Sequence, residues 1–303
     1  MDAKMINLAI NIQLILNGIM KGGLYGLLAI GLTIIYGVCR ILNFAHGEFV
    51  MLAMYMGYFS FTLLDIHPYL AVLYISPLFF GLGLVMYRVM FKRLVNQGTT
   101  TQIFTTVGLS IVVQNLALLF LKSDPRYVSM GVFNKILKFP MFGTYIRVSL
   151  LDIIGFAIAI ILMLLLYLFL QYSFKGKCLR AIIDQRRGAT LCGLDVDAMY
   201  KLAIAIGFTC IGAAGAVLCT GYSTTPTSGN AWKAIAFVAV ILGGYNSIPG
   251  AVTAAILIAI VESFTGYYIS VQLKEASYYI LFLIVLVIRP LGLFGRKSLR
   301  VGR

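Results

Sequence analysis

The chain has 303 residues, of which 61% are hydrophobic and only 11% are charged, and its formal net charge is +14. Soluble domains carry roughly 25% charged residues, so this composition excludes a soluble globular protein and indicates an integral membrane protein. The basic excess does not indicate a nucleic acid partner, because the lysines and arginines lie in short stretches beside apolar runs, which is typical of loops retained at the cytoplasmic face.

Apolar runs follow one another along the chain, and none shows the period-2 alternation of a membrane β-barrel. About 20 apolar residues suffice for a helix that crosses a hydrocarbon core of about 30 Å. The sequence therefore predicts an all-α integral membrane protein, a polytopic bundle of about eight to ten membrane segments with Gly/Pro-interrupted helices, in which residues 1–303 form a single transmembrane domain. The runs lie near residues 6–20, 24–39, 49–64, 69–90, 103–121, 149–171, 201–222, 234–261 and 277–289.

Small residues recur at every fourth position near the start of the chain, at Gly18, Gly22 and Gly26. Residues spaced by four lie on one face of a helix, and a face of small residues lets two helices approach closely in lipid. We expect this face to pack inside the bundle, in preference to forming a dimer contact.

A first polar interruption, GVCRILNFAHGEFVML at residues 37–52, places Arg40, Asn43, His46 and Glu48 in an otherwise apolar run. His46 is suited either to a substrate contact or to a hydrogen bond with a neighbouring carbonyl. Glu48 is suited either to a substrate contact or to the positive N-terminus of the next helix. Asn43 is suited to a helix cap, and Arg40 to the membrane interface. These alternatives stay open at the level of sequence.

A second interruption, within residues 236–263, combines Gly243 and Gly244 with the polar residues Asn246 and Ser247. Broken backbone at membrane depth is tolerated only where protein or a water-filled cavity satisfies its polar groups, although such a break also suits a turn at the membrane surface. Interruptions in two halves of a chain indicate a transport site. We expect the two stretches to face one another across a substrate path formed by Asn43, His46, Glu48, Gly243, Gly244 and Asn246.

Three clusters of basic residues set the predicted topology, since such clusters are retained in the cytoplasm. Two spans separate the first cluster from the second, which agrees with both clusters lying on one side. The segment 122–148 is then outside. The clusters are Arg88, Lys92 and Arg93; Lys175, Lys177, Arg180, Arg186, Arg187 and Lys201; and Arg289, Arg296, Lys297, Arg300 and Arg303.

The sequence contains no G-x-x-x-x-G-K-[ST] phosphate-binding loop, and the nearest match, GLFGRKS at residues 292–298, has the wrong spacing. It also contains neither H-E-x-x-H nor G-x-S-x-G, and its five cysteines form no C-x-x-C pair. We therefore expect no enzyme activity of its own, no cofactor and no metal.

Four blocks in order resemble the LivH-type permeases of branched-chain amino acid ABC importers, and the resemblance covers nearly the whole chain. The blocks are specific for the permease family and much less so for substrate, because urea and amide permeases share them. They are GLTIIYGVCRILNFAHGE (31–48), TTVGLSIVVQNLALL (105–119), AFVAVILGGYNSIPGAV (236–252) and RPLGLFGRK (289–297).

The resemblance implies a multi-pass permease of the inner membrane that moves branched-chain or related amino acids into the cytoplasm. Its implied partners are a second homologous permease, two separate ATPase subunits, an extracytoplasmic substrate-binding protein and membrane lipid. A urea or short-amide ABC permease is the alternative. An ion-coupled secondary transporter would need ionisable groups deep in its spans, for which only Glu48 and Glu262 are candidates, and an ion channel lacks a filter-like repeat.

The family's cytoplasmic coupling element aligns with RGATLCG, residues 187–193, inside a predicted cytoplasmic loop at 172–201. Ala189 and Gly193 match the family pattern, whereas Arg187 replaces its usual acid. The resemblance implies that residues 180–197 form a short helix and turn that seats in the ATPase. Ala189 and Gly193 would share one face of that helix, with Arg180 and Arg187 beside them; a merely solvated basic loop is the alternative.

Overall fold

Membrane-length helices dominate the computed structural model, which describes residues 3–128, 136–141, 144–290 and 292–294. Within these residues eight helical segments are long and apolar enough to cross a membrane, and a ninth apolar helix is shorter. The predicted helical membrane bundle is confirmed. The helices are α1 (Ala3–Cys39), α2 (His46–Leu64), α3 (Pro68–Met86), α4 (Lys92–Leu94), α5 (Thr99–Leu121), α6 (Leu150–Tyr172), α7 (Phe174–Asp184), α8 (Arg186–Leu191), α9 (Val196–Leu218), α10 (Gly229–Gly243), α11 (Ile248–Tyr268) and α12 (Lys274–Ile288).

Helix boundaries differ from the predicted apolar runs at both ends of the chain. The runs at 6–20 and 24–39 are one continuous helix, α1, because the three residues between them include no proline or other helix breaker strong enough to end it. A π-helical turn, Tyr87–Phe91, joins α3 to α4, and a 3₁₀ turn, Val271–Leu273, leads into α12.

A β-hairpin outside the bundle was not predicted. Strands β1 (Ile136–Met141) and β2 (Thr144–Ser149) pair antiparallel, with Ile136 opposite Ser149. Ile146 and Val148 alternate along β2 and bury their side chains against Met20 of α1, while Tyr145 and Arg147 face outward. The hairpin is therefore held by a half-buried strand face, which a search for long apolar runs does not detect.

The described members of the three basic clusters meet at one end of the bundle, called the basic end below. Lys92 forms an ion pair of 3.6 Å with Asp197 at the start of α9, which joins the first two clusters. Arg289 donates to the carbonyl of Leu293, whose own N–H donates to the carbonyl of Leu242 near the end of α10. This arrangement agrees with the predicted topology; Arg296, Lys297, Arg300 and Arg303 lie outside the described residues.

The small-residue face of α1 packs inside the bundle, as expected. Gly18 and Gly22 lie against Ile260 and Ile256 of α11, where an added Cβ would stand 2.7 and 2.6 Å from the isoleucine Cα atoms. Gly26 continues the same face with slightly more room. The glycines therefore allow the two backbones to approach more closely than any side chain would permit.

Gly22→Ala is expected to lower stability by about 1–3 kcal/mol, because its methyl group would overfill the contact between α1 and α11. Gly81→Ala is the matched control, since that helical glycine in α3 has open space around it and alanine favours the helix by about 0.5–1 kcal/mol. Thermal unfolding of the detergent-solubilised protein measures both. Equal midpoints for the two variants would contradict the close packing.

Candidate functional site

The first polar interruption forms a loop that turns back into the bundle. Helix α1 ends at Cys39, and Arg40 takes a left-handed conformation with φ 58° that stops the helix. Residues 40–45 lead to α2, which begins at His46. The ring of His46 lies beside the α1 backbone at Gly31, eight residues before the end of α1 and about 12 Å along its axis. Helix α2 therefore starts inside the bundle, above the basic end.

The four polar residues of this stretch occupy different environments. Asn43, His46 and Glu48 are buried, and the Asn43 side chain accepts a hydrogen bond from the N–H of Ala45, which stabilises the turn before α2. Arg40 is exposed and donates to the carbonyl of Ile183 in α7 at 3.5 Å. Arg40 thus anchors the end of α1 to the predicted coupling loop, whereas the other three lie within the bundle.

A second re-entrant loop, which the sequence analysis missed, follows α9. Residues 219–228, CTGYSTTPTS, carry the chain into the bundle, where α10 begins at Gly229. The ring of Trp232 packs edge-on against Tyr25 of α1, about 21 Å from the end of that helix. The density of Gly, Pro, Ser and Thr in the loop was the available signal.

The two helices that begin inside the bundle meet through their first turns. An added Cβ at Gly229 would stand 2.9 Å from the carbonyl oxygen of Gly47, and one at Gly47 would stand 2.6 Å from the Cβ of Lys233. Neither position has room for a side chain. The N-terminus of a helix carries about half a positive charge, so this contact places two positive helix ends side by side.

An ion pair lies at this junction. The Lys233 Nζ of α10 is 3.0 Å from the Glu48 Oε1 of α2, and the two side chains are 22% and 1% exposed. The same ammonium donates to Asn230 Oδ1 at 3.0 Å and to Ser110 Oγ of α5 at 3.3 Å. Its three N–H donors therefore join α2, α5 and α10 at one point.

Lys233 was also missed by the sequence analysis, although a signal existed. It is the only charged residue between Lys201 and Glu262, in a region rich in apolar helix. An ionisable residue at membrane depth indicates a functional site. Its partner, Glu48, is 185 residues away in sequence, so only the fold identifies the pair.

The predicted second interruption lies at the other end of α10. Gly243 ends that helix, Gly244 has φ 100°, and the Ser247 side chain accepts from the N–H of Gly250 to begin α11. Asn246 is exposed. Fourteen residues separate Gly243 from Gly229, which corresponds to about 21 Å along the helix.

The structure therefore does not bring Gly243, Gly244 and Asn246 to Asn43, His46 and Glu48. The break packs against residues 292–294 at the basic end, and the Tyr245 ring contacts Tyr36 at 4.6 Å between centroids. It is a turn near the end of the bundle, the alternative that the sequence left open. A role of its residues in the substrate path stays a prediction.

The predicted coupling loop is helical but differs in detail from the expectation. Ala189 on α8 is buried against the chain's own core, whereas Gly193 lies beyond the helix in a turn with φ 78° and open space around it. The two do not share one helix face, because the left-handed turn at Gly193 ends α8 first. Arg180 and Arg187 are exposed.

Removal of one member of the ion pair is expected to destabilise the protein strongly. Lys233→Met would leave the Glu48 carboxylate buried without its cation and cost about 3–5 kcal/mol. The double variant Glu48→Gln/Lys233→Met removes both charges and should recover most of that loss. Thermal unfolding in detergent compares the two; a double variant no more stable than Lys233→Met would contradict this account.

A bundle of spanning helices in which two re-entrant loops bring buried polar groups together is typical of membrane transport proteins. The profile of the family described as "Branched-chain amino acid transport system / permease component" matches residues 14–288. The chain belongs to this family. It is a multi-pass protein of the inner membrane.

Curated relatives match over nearly their whole length. The chain is 28% identical to the "High-affinity branched-chain amino acid transport system permease protein LivH" of Salmonella typhimurium, with 95% of this chain and 96% of that protein covered. It is equally 28% identical to the BraD permease protein of Pseudomonas aeruginosa, with the same coverage. A probable LivH of Methanocaldococcus jannaschii is 28% identical, with 93% and 92% covered.

One solved structure shares the fold. The chain is similar to "PsaBC from Streptococcus pneumoniae in complex with Fab" with a TM-score of 0.50, 13% identity and 92% of each chain covered. At this identity the likeness shows the architecture alone.

Proposed function

We propose that this chain is the transmembrane permease subunit of an ABC importer that moves branched-chain amino acids into the cytoplasm, powered by separate ATPase subunits. The observation that carries the proposal is the family match over residues 14–288, together with relatives named for high-affinity branched-chain amino acid transport. The chain supplies the membrane passage and is not itself an enzyme.

The assembly that we infer contains a second homologous permease, two ATP-binding cassette ATPase subunits and an extracytoplasmic binding protein. The sequence has no phosphate-binding loop, so ATP binding belongs to a different chain. ATP would favour one permease conformation over another through differential interaction with the two states.

The ion-coupled alternative receives no support from the two deep carboxylates. Glu48 is paired with Lys233, and the Glu262 carboxylate accepts a hydrogen bond of 2.8 Å from the Tyr25 hydroxyl. Both groups therefore have structural partners that tie helices together. A proton- or cation-coupling carboxylate would instead need to exchange its partner during the transport cycle.

The contact with the ATPase is assigned to the exposed side of α8. Leu191, at the end of that helix, is 89% exposed, and Arg187 lies one turn before it. An exposed leucine beside arginine at the cytoplasmic face suits a groove with an apolar floor and an acidic rim. Ala189 supports this surface from beneath, and Gly193 shapes the turn that follows it.

Reconstitution tests the transport function directly. Proteoliposomes that contain this permease, its companion permease and the ATPases should accumulate radiolabelled leucine only with the binding protein outside and ATP inside. The isolated chain should bind no nucleotide. Uptake that follows an ion gradient without ATP would overturn the proposal, as would ATP-driven uptake of urea with none of leucine.

Leu191→Asp is expected to reduce both transport and substrate-stimulated ATPase activity by at least about tenfold, since interface anchors each contribute about 2 kcal/mol or more. The neighbouring Cys192→Ser is the control, because Cys192 is also exposed and the change is small. Both activities are measured on complexes of matched permease content. If Leu191→Asp retained full activity, the coupling contact would lie elsewhere.

A further inference from the structure

The polar junction between α2 and α10 is open on one side. Asn230 is exposed and Lys233 is 22% exposed, although both belong to the first turns of a helix that begins inside the bundle. Lipid cannot satisfy an amide or an ammonium at this depth. The open side must therefore meet water, another protein chain or a polar solute.

The charges at the junction leave an excess of positive potential. Two helix N-termini contribute about half a positive charge each, and the Lys233 ammonium adds one more, against the single carboxylate of Glu48. Half-helix N-termini inside a membrane point at anionic groups of transported solutes. Glu48 is buried within the junction, whereas the Lys233 side chain is partly exposed at the open side.

An apolar surface follows on the same side of α10. Phe237 lies one helical turn after Lys233, and its ring stacks on Phe44 at 4.8 Å between centroids. Both phenylalanines are half-buried. The open side of α10 thus presents a cationic site followed, toward the basic end, by an aromatic surface.

We propose that Lys233, with Asn230 and Ser110 beside it, binds the carboxylate of the transported amino acid, while its aliphatic side chain passes over Phe44 and Phe237. This inference rests on the proposed function and deepens it. A carboxylate would take up N–H donors that Lys233 now directs to Asn230 and Ser110, leaving the bond to Glu48 in place. The site suits amino acids and not urea or simple amides, which carry no anionic group.

The open side lies on the outside of this chain. The solute would therefore pass between this permease and its companion, and not through a bore within the bundle. The companion permease would cover the same groups and exclude lipid from them.

The test uses charged thiol reagents on the complete complex in membranes. Asn230→Cys is made in a Cys192→Ser background, because the other four cysteines are buried. Gly221→Cys is the matched control, since Gly221 is exposed in the re-entrant loop that leads into α10 and has room for a side chain. Each variant is treated with an anionic and with a cationic methanethiosulfonate.

The ratio of anionic to cationic modification rates is expected to be about fivefold higher at position 230 than at position 221, because local positive potential concentrates anions. Glu48→Gln/Lys233→Met, added to Asn230→Cys, should lower the ratio toward that of position 221, because it removes the partly exposed ammonium together with a carboxylate that is buried, while the two helix ends remain. Leucine, supplied with binding protein and ATP, should slow the modification at position 230.

Equal ratios at positions 230 and 221, a ratio unaffected by the double substitution, or no reaction at position 230 would each overturn the inference. The rate ratio is measured without substrate, so it is independent of the proposed function. Leucine uptake with no anion preference would refute the site alone. An anion preference without leucine uptake or protection would refute the proposed substrate and leave an anion site.

Discussion

Two helices begin inside the bundle, and the need to satisfy their first turns organises the centre of the molecule. A bilayer offers no water to free N–H groups, so a helix can start at this depth only where protein receives it. The first turns of α2 and α10 pack directly against each other at Gly47 and Gly229, where no side chain would fit. Two positive helix ends then lie together, and the buried carboxylate of Glu48 offsets them.

Lys233 extends this junction to a third helix. Its ammonium reaches Glu48, Asn230 and Ser110, so that α5 is tied to the two half-helices by a polar contact in otherwise apolar surroundings. Buried ion pairs contribute little net stability, because desolvation offsets the attraction. Their effect is to select one arrangement of the helices, since any other would leave a charge unpaired.

The loop between α1 and α2 connects this junction to the basic end of the bundle. The stretch between α1 and α2 has His46 at its inner end and Arg40 at its outer end, where the guanidinium reaches Ile183 of α7. Cys39 contacts the backbone of Tyr200 in α9 as well. A displacement of α7 and α8 by a cytoplasmic partner would therefore act on the six residues that set the position of α2. His46 therefore lies at the inner end of the loop within the bundle, whereas Arg40 at the outer end contacts α7.

The sequence by itself determined the membrane location, the helical architecture and the family, because these depend on composition, on run length and on local motifs. Asn43, His46 and Glu48 stood out for the same reason, as polar residues in an apolar run. The tertiary structure decided which interruption they face. The sequence analysis placed the break at Gly243 and Gly244 across from these residues. In the fold, the loop at residues 219–228 and Lys233 of α10 take that place.

That choice could not be read from the chain, because a glycine break looks alike whether it lies at the surface or within the bundle. The expectation that Ala189 and Gly193 share one helix face was wrong for a similar reason: residues spaced by four share a face only while a helix continues, and this helix ends at Leu191. The pair of Glu48 with Lys233 spans 185 positions, and no local pattern carries information over that distance. The local sequence identifies which polar residues lie in apolar runs. Which of them contact one another depends on helix packing, because in a membrane each buried polar group needs a partner within the protein.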